Sequence, residues 1–145
     1  MLGTCTLITG APGTGKTLGW VRWLVNDYLC RPGGQVLTNI RLNRERIGDY
    51  VSTLCNTFYN RHWGYSPTAD EVSSRLVILG ADDVSRLRVT SNIPDFFGDI
   101  DGLYICIDEF HVYCNNMTSG LVLKSWADWL ATLRHHNCQF AKHLE

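Results

Sequence analysis

The sequence contains no apolar run that approaches the roughly 20 residues needed to cross a membrane, and its first residues lack the basic segment and cleavage site of a secretory signal. We therefore expect a soluble chain. An excess of charge of one sign is also lacking, because 13 Lys and Arg residues face 14 Asp and Glu residues. Without an overall basic surface, nucleic acid can bind only through a local patch or an assembled oligomer.

The six cysteines are widely spaced and form no C-x-x-C pair. This spacing argues against a structural zinc site and favours a reducing cytosol, since Cys5 and Cys106 fall inside predicted buried strands. With 145 residues, of which 45% are hydrophobic, the chain is long enough for one domain with a substantial core and too short for two. We expect a single domain over residues 1–145.

One glycine-rich stretch, GAPGTGKT at residues 10–17, matches the pattern G-x-x-x-x-G-K-[ST] without a mismatch. An apolar, β-branched run at 2–9 precedes it and a helical pattern at 16–30 follows, which is the context that a phosphate-binding loop requires. The residues predicted to bind nucleotide are Gly10, Ala11, Pro12, Gly13, Thr14, Gly15, Lys16, Thr17 and Leu18. Lys16 is expected to reach the β- and γ-phosphates and the Thr17 hydroxyl to bind Mg²⁺.

A second motif follows the apolar strand predicted at 103–107, which ends in Asp108 and Glu109. In open α/β folds, ligands bind at the carboxyl ends of parallel strands, so these carboxylates indicate a Walker B motif. Asp108 would hold Mg²⁺ opposite Thr17, and Glu109 would orient and deprotonate the attacking water. The sequence thus predicts a nucleotide site built from two distant segments, with ATP and Mg²⁺ as its ligands.

The remaining patterns complete an α/β prediction. Strands are expected at 35–40 and from 138 to 141, and helices at 44–56, 68–78 and 121–136, with a strand at 75–79 as the alternative for the end of 68–78. Residues 92–102 are rich in turn signals. We predict a three-layer P-loop NTPase with a mainly parallel central sheet.

Two features of the sequence leave alternatives open. Arg134 ends the last predicted helix, where it either complements the helix dipole or contacts a γ-phosphate in its own or a neighbouring subunit. Residues 58–65 alternate aromatic and basic side chains, which is typical either of a platform for single-stranded nucleic acid or of packing inside an irregular segment.

The motifs in order, GAPGTGKT, VLTNI, LYICIDEFHVY and a tryptophan-rich helix ending in TLRHHN, resemble the N-terminal ATPase domain of the zonula occludens toxin (Zot) family, which includes filamentous-phage assembly ATPases. The resemblance covers most of the chain outside 41–101, which it implies is a variable insertion, and it implies an extra strand between the Walker A and Walker B strands. It implies a P-loop ATPase of the FtsK/HerA type that powers assembly and extrusion of a single-stranded DNA virus, with Lys16, Glu109 and Arg134 as catalytic residues and Thr17 and Asp108 as metal ligands.

The same resemblance implies a ring-shaped homo-oligomer in the cytoplasm of an infected bacterial host, at the inner-membrane face in a full-length form, with single-stranded DNA or virion proteins as partners. Membrane contact would come only from a region outside this chain. The Walker A strand is also expected to lack one neighbouring strand. In this class of fold that neighbour comes from the C-terminal part, and no predicted element remains to form it.

Two other classes of protein fit the motifs. An AAA+ ring ATPase suits both Walker sequences, although the separation from Thr17 to Asp108 is long for that class. A scaffold protein that binds ATP and hydrolyses it negligibly is the second alternative. ATP is favoured over GTP because no N-K-x-D sequence follows the loop to recognise guanine.

Overall fold

The computed structural model describes residues 4–8, 13–59, 64–115, 117–136 and 138–143, with only the backbone described at 4–8, 58–59, 134, 141 and 143. Five strands form one sheet: β1 Thr4–Ile8, β2 Val36–Thr38, β3 Leu76–Ile78, β4 Tyr104–Ile107 and β5 Gln139–His143. Their order is β1-β5-β4-β2-β3, and every pairing is parallel. The predicted α/β fold with a parallel central sheet is confirmed.

The position of β1 in the sheet agrees with two expectations from the sequence. β5 lies between β1 and β4, so one strand separates the strand before the glycine-rich loop from the strand that ends at Asp108. Among the described strands, β1 pairs with β5 alone and forms an edge of the sheet. An edge strand presents unpaired backbone groups to which another strand can bind.

In the part of the chain that the structure describes, six α-helices connect and cover the strands: α1 Lys16–Asn26, α2 Arg44–Leu54, α3 Ala69–Ser74, α4 Ala81–Val89, α5 Ile93–Phe97 and α6 Gly120–Thr132. Shorter turns of helix occupy Tyr28–Cys30, Cys55–Tyr59, Phe110–Val112 and Leu133–His135. None of the described helices is long and apolar enough to span a bilayer.

Alternate side chains of β4 pack on opposite faces of the sheet, because successive residues of a strand point in opposite directions. Tyr104 and Cys106 belong to a core shared with α1, α2 and α3, whereas Ile105 and Ile107 belong to a core shared with α4, α5 and α6. All four side chains are buried. The sheet is therefore the middle of three layers, as predicted.

Two segments differ from the sequence prediction, and a third resolves an alternative that the sequence left open. Helix α1 ends at Asn26, because Asp27 leaves the helical region of backbone conformation, and residues 28–30 form a separate 3₁₀ turn. A capping box at Thr68 starts α3, which gives way to β3, so the strand alternative for the end of 68–78 is confirmed. The middle segment also contains α4 and α5, which were not predicted, and it supplies the edge strand β3.

Candidate nucleotide-binding site

The glycine-rich loop enters α1 with a backbone that only glycine adopts readily. Gly13 and Gly15 have φ angles of 78° and 83°, in the left-handed region. Gly15 is the N-cap of α1, whose N-terminus has no side-chain cap and no acidic residue in its first turn among the described residues. The backbone N–H groups there remain suited to phosphate oxygens. Gly10, Ala11 and Pro12 lie outside the described residues.

The two predicted metal ligands meet in the structure. The hydroxyl of Thr17 donates a hydrogen bond of 2.9 Å to Oδ2 of Asp108, although the two residues are 91 positions apart. Thr17 is in the first turn of α1 and Asp108 directly follows β4. Both oxygens are of the kind that Mg²⁺ prefers. The predicted convergence of the two motifs at the carboxyl edge of the sheet is present.

Asn39, which directly follows β2, holds the backbone of Asp108 at both polar groups. Its Oδ1 accepts from the Asp108 N–H at 2.7 Å, and its Nδ2 donates to the Asp108 carbonyl at 2.9 Å. The same Nδ2 lies 3.1 Å from the Tyr113 hydroxyl. Because both halves of the amide are used, the side chain is fixed in one orientation. Asn39 therefore sets the position of Asp108 relative to Thr17.

Glu109 has a strained backbone. Its φ of 55° makes it the single non-glycine residue with positive φ among the residues that the structure describes. Such conformations cost roughly 1–3 kcal/mol and cluster at functional sites. Its N–H donates to Oδ1 of Asp108 at 3.0 Å, and its carboxylate lies 3.4 Å from Nε2 of His111. The Glu109 side chain is 55% exposed, so it can approach a ligand without displacing packed atoms.

A cavity of about 360 Å³ adjoins Glu109 at the same edge of the sheet. Its walls include Asn39 and the exposed side chains of Arg41 and Arg88, with residues 79–81 beyond the end of β3. The cavity therefore places two cations beside the predicted catalytic acid.

The other predicted site residues occupy the following positions. Lys16 is the first residue of α1 and is partly buried, and Leu18 projects from the first turn with 74% of its surface exposed. The Arg134 backbone lies in the 3₁₀ turn after α6. Its side chain lies outside the described part of the structure, so the proposed phosphate contact stays a prediction.

The sequence analysis did not identify Asn39, Tyr113 or His111 as parts of the site. Asn39 and Tyr113 are 74 positions apart and meet only because β2 and β4 are neighbours. A polar residue directly after a strand was the one local signal for Asn39, since such positions line the ligand edge of parallel sheets.

One protein-family model matches most of the chain. Residues 4–140 match the model of the family described as zonular occludens toxin (Zot). The chain belongs to the Zot family. The resemblance drawn from the motifs is thereby confirmed, and a P-loop NTPase-like fold agrees with the parallel sheet, the glycine-rich loop and the site at its carboxyl edge.

Among solved structures, the chain is similar to the crystal structure of the N-terminal domain of zonular occludens toxin from Neisseria meningitidis. The two are 19% identical with a TM-score of 0.48, and the match covers 100% of this chain and 68% of that one. A search of curated proteins finds no match.

Proposed function

We propose that this Zot-family chain is a Mg²⁺-dependent ATPase that powers assembly of a phage or virus by packaging or extruding its DNA. The observation that carries the proposal is the 2.9 Å hydrogen bond between Thr17 and Asp108. It joins the hydroxyl that ends the glycine-rich loop to the carboxylate that ends the Walker B strand. P-loop NTPases hold the metal of the bound nucleotide between this pair of groups.

The residues present fit a magnesium ion. Thr17 and Asp108 supply a hydroxyl and a carboxylate, and the ion prefers oxygen ligands and retains several waters. When bound, Mg²⁺ would neutralise charge on the β- and γ-phosphates. The two groups are already adjacent in the protein alone, so binding of the metal requires little rearrangement of the chain.

The chain's own residues would divide the chemistry. The loop N–H groups and Lys16 would bind the phosphates, and Leu18, exposed beside them, would contact the rest of the nucleotide. Glu109 would accept a proton from the attacking water. Asn39 would keep Asp108 and the strained Glu109 in register with the loop, since it holds both backbone groups of Asp108.

Membership of the Zot family supports the proposed role in phage assembly. The proposal includes a homo-oligomeric ring that acts on single-stranded DNA or virion proteins in the cytoplasm of an infected bacterium. A formal net charge of −1 supports an assembled form, because a lone chain has no general basic surface for DNA. The open edge of β1 in the described sheet offers one position at which chains or segments can add.

Phosphate release from Mg²⁺·ATP by the purified chain tests the proposal. Thr17→Ala removes the hydroxyl that meets Asp108, and it should lower turnover by at least roughly 10-fold, because the metal loses a ligand. Thr53→Ala is the matched control, since Thr53 is an exposed threonine of α2 far along the chain from both motifs. The control should hydrolyse ATP at the wild-type rate.

The same assay with added single-stranded DNA tests whether this polymer is the one on which the proposed motor acts. Faster phosphate release with single-stranded than with double-stranded DNA would support the proposed motor. ATP that binds with Mg²⁺ but yields no phosphate above the Thr17→Ala rate, with or without DNA, would instead identify a nucleotide-binding scaffold and contradict the ATPase.

A further inference from the structure

A buried arginine lies directly before β3, at the amino ends of the strands. The candidate nucleotide site lies at their carboxyl ends. Arg75 is 8% exposed. Its Nη1 donates to the carbonyls of Leu29 and Arg31 at 3.2 and 2.8 Å, and its Nε donates to the Gly34 carbonyl at 3.2 Å. Its Nη2 is buried as well and has no hydrogen-bond partner among the described residues. One edge of the guanidinium is therefore anchored to the backbone and the other is left open.

The charge of Arg75 also lacks a nearby counter-ion. No carboxylate of the described residues lies within 4.0 Å of its guanidinium. Its neighbours are instead the rings of Tyr28 and Tyr65, whose centroids are 5.7 and 5.9 Å from Cζ. A buried charge is ordinarily paired, because removing it from water is costly. An anion adjacent to Nη2 would satisfy both the charge and the open donor.

Gly33 leaves room for such an anion. A Cβ on Gly33 would lie 3.0 Å from Nη2 of Arg75 and 4.0 Å from the hydroxyl of Tyr28. Two donors thus converge on the space above one glycine. That space borders a cavity of about 370 Å³, whose walls include Arg75, Tyr28, Gly33, the Trp23 ring and Gln139. Its volume is within the range of small-molecule sites.

We propose that this cavity binds a small carboxylate with an apolar or aromatic body. The carboxylate oxygens would accept from Nη2 of Arg75 and from the Tyr28 hydroxyl, and the body of the ligand would lie against Trp23. A charged donor beside a neutral one suits a monoanion. A phosphate dianion is less well matched, because Arg31 at the cavity wall is already paired with Asp27 at 2.7 Å, which places a competing carboxylate nearby.

The location separates this site from the nucleotide. Arg75 and Gln139 lie at the amino ends of β3 and β5, whereas Asp108 follows the carboxyl end of β4. Because all the described strands are parallel, their amino ends lie along one side of the sheet and their carboxyl ends along the opposite side. The carboxylate and ATP would therefore bind without competing, and the inference does not depend on the proposed ATPase activity.

Titration of the full chain with benzoate tests the proposal, with the backbone amide signals of Gly33 and Gly34 followed by NMR. We expect saturable shifts in the wild type. Gly33→Ala fills the space above residue 33 while keeping every donor, so its affinity for benzoate should fall by roughly 10-fold or more. Gly120→Ala is the control, because a Cβ there meets no atom within 4 Å. Its affinity should equal that of the wild type.

A second variant tests the donor pair. Tyr28→Phe removes one neutral hydrogen bond and should weaken benzoate binding by roughly 5-fold, whereas Lys16→Ala should not change it. Absence of saturable shifts with benzoate would overturn the site, as would equal affinity in the wild type and Gly33→Ala. Tighter binding of inorganic phosphate than of benzoate would overturn the carboxylate assignment.

Discussion

The Thr17 hydroxyl and Oδ2 of Asp108 are 2.9 Å apart, and this contact joins the first turn of α1 to the end of β4. Asp108 is also held at both backbone polar groups by Asn39. The next residue in the chain is Glu109, the predicted catalytic acid.

Lys16 is the first test, because it supplies the cation of the glycine-rich loop. Lys16→Ala should abolish tight ATP binding, since the β- and γ-phosphates lose their charged partner in the loop. Titration with a fluorescent ATP analogue measures the affinity. Lys124→Ala is the control, because Lys124 is an exposed residue that pairs with Asp128 at 3.0 Å. Equal affinity of the wild type and Lys16→Ala would remove the loop from the site.

Substitution of each of the two carboxylates should impair a different property, turnover for Glu109 and Mg²⁺-dependent binding for Asp108. Glu109→Gln removes the proton acceptor but keeps the shape, so ATP should still bind while turnover falls by about 10²–10⁴-fold. Asp108→Asn should instead weaken the Mg²⁺-dependent part of the affinity, because a metal ligand loses its charge. Binding assays with Mg²⁺ and with a chelator separate the two effects. If Glu109→Gln also loses binding, then Glu109 maintains the structure and is not the base.

Much of the site followed from local sequence patterns. A glycine loop, a following helix and an acidic strand end each depend on residues close together in the chain, which is why Thr17 and Asp108 could be paired before the fold was known. The strand between β1 and β4 and the edge position of β1 were expected from the resemblance to a known class of P-loop fold, and the sheet order agrees with both.

What the sequence could not show depends on contacts between distant residues. Asn39 binds Asp108 over a separation of 69 positions, and nothing near Asn39 in the chain signals that partner. The burial of Arg75 is similar, because its side chain donates to carbonyls more than 40 positions earlier in the chain. The segment 92–95 contains turn-forming residues, but its asparagine caps α5 and its proline lies in the first turn of that helix.

Asn39 gives the third prediction. Asn39→Ala leaves the Asp108 N–H and carbonyl without their partner, which should cost about 1–3 kcal/mol of stability and slow hydrolysis by roughly 10-fold or more, because Asp108 and Glu109 lose their fixed position. Urea unfolding and phosphate release measure the two effects. Asn56→Ala is the control, since it removes an exposed amide that also bonds a backbone carbonyl, at 2.7 Å, away from the site. Wild-type turnover in Asn39→Ala would show that the contact serves stability alone.

Alkaline pH should destabilise the protein through buried groups that hold their protons. Burial raises the pKa of the Tyr104 hydroxyl from 10.0 to about 12 and that of the Cys30 thiol from 9.0 to about 12. The unfolded chain releases these protons first, so the free energy of unfolding should fall as pH rises from about 9 towards 12.

Urea unfolding at a series of pH values measures this decline. Tyr104→Phe should make it shallower above pH 10, because one of the titrating groups is gone. Tyr50→Phe, which changes an exposed tyrosine, should keep the wild-type slope. A slope that is the same in all three proteins would show that Tyr104 does not contribute to the pH dependence.

Arg134 gives the last prediction, which distinguishes a helix-end charge from a residue that acts on a neighbouring subunit. If it acts in trans, then Arg134→Ala should keep ATP binding and lose turnover in assembled protein, as arginine fingers do. Mixing inactive Arg134→Ala with inactive Glu109→Gln then creates some interfaces that contain one intact arginine and one intact acid. Phosphate release should recover in the mixture and reach a maximum near equal amounts of the two variants. His135→Ala, which changes the next residue of the same 3₁₀ turn, is the control and should be active without a partner. Mixtures that stay as inactive as their components would leave Arg134 with a role at the helix end alone.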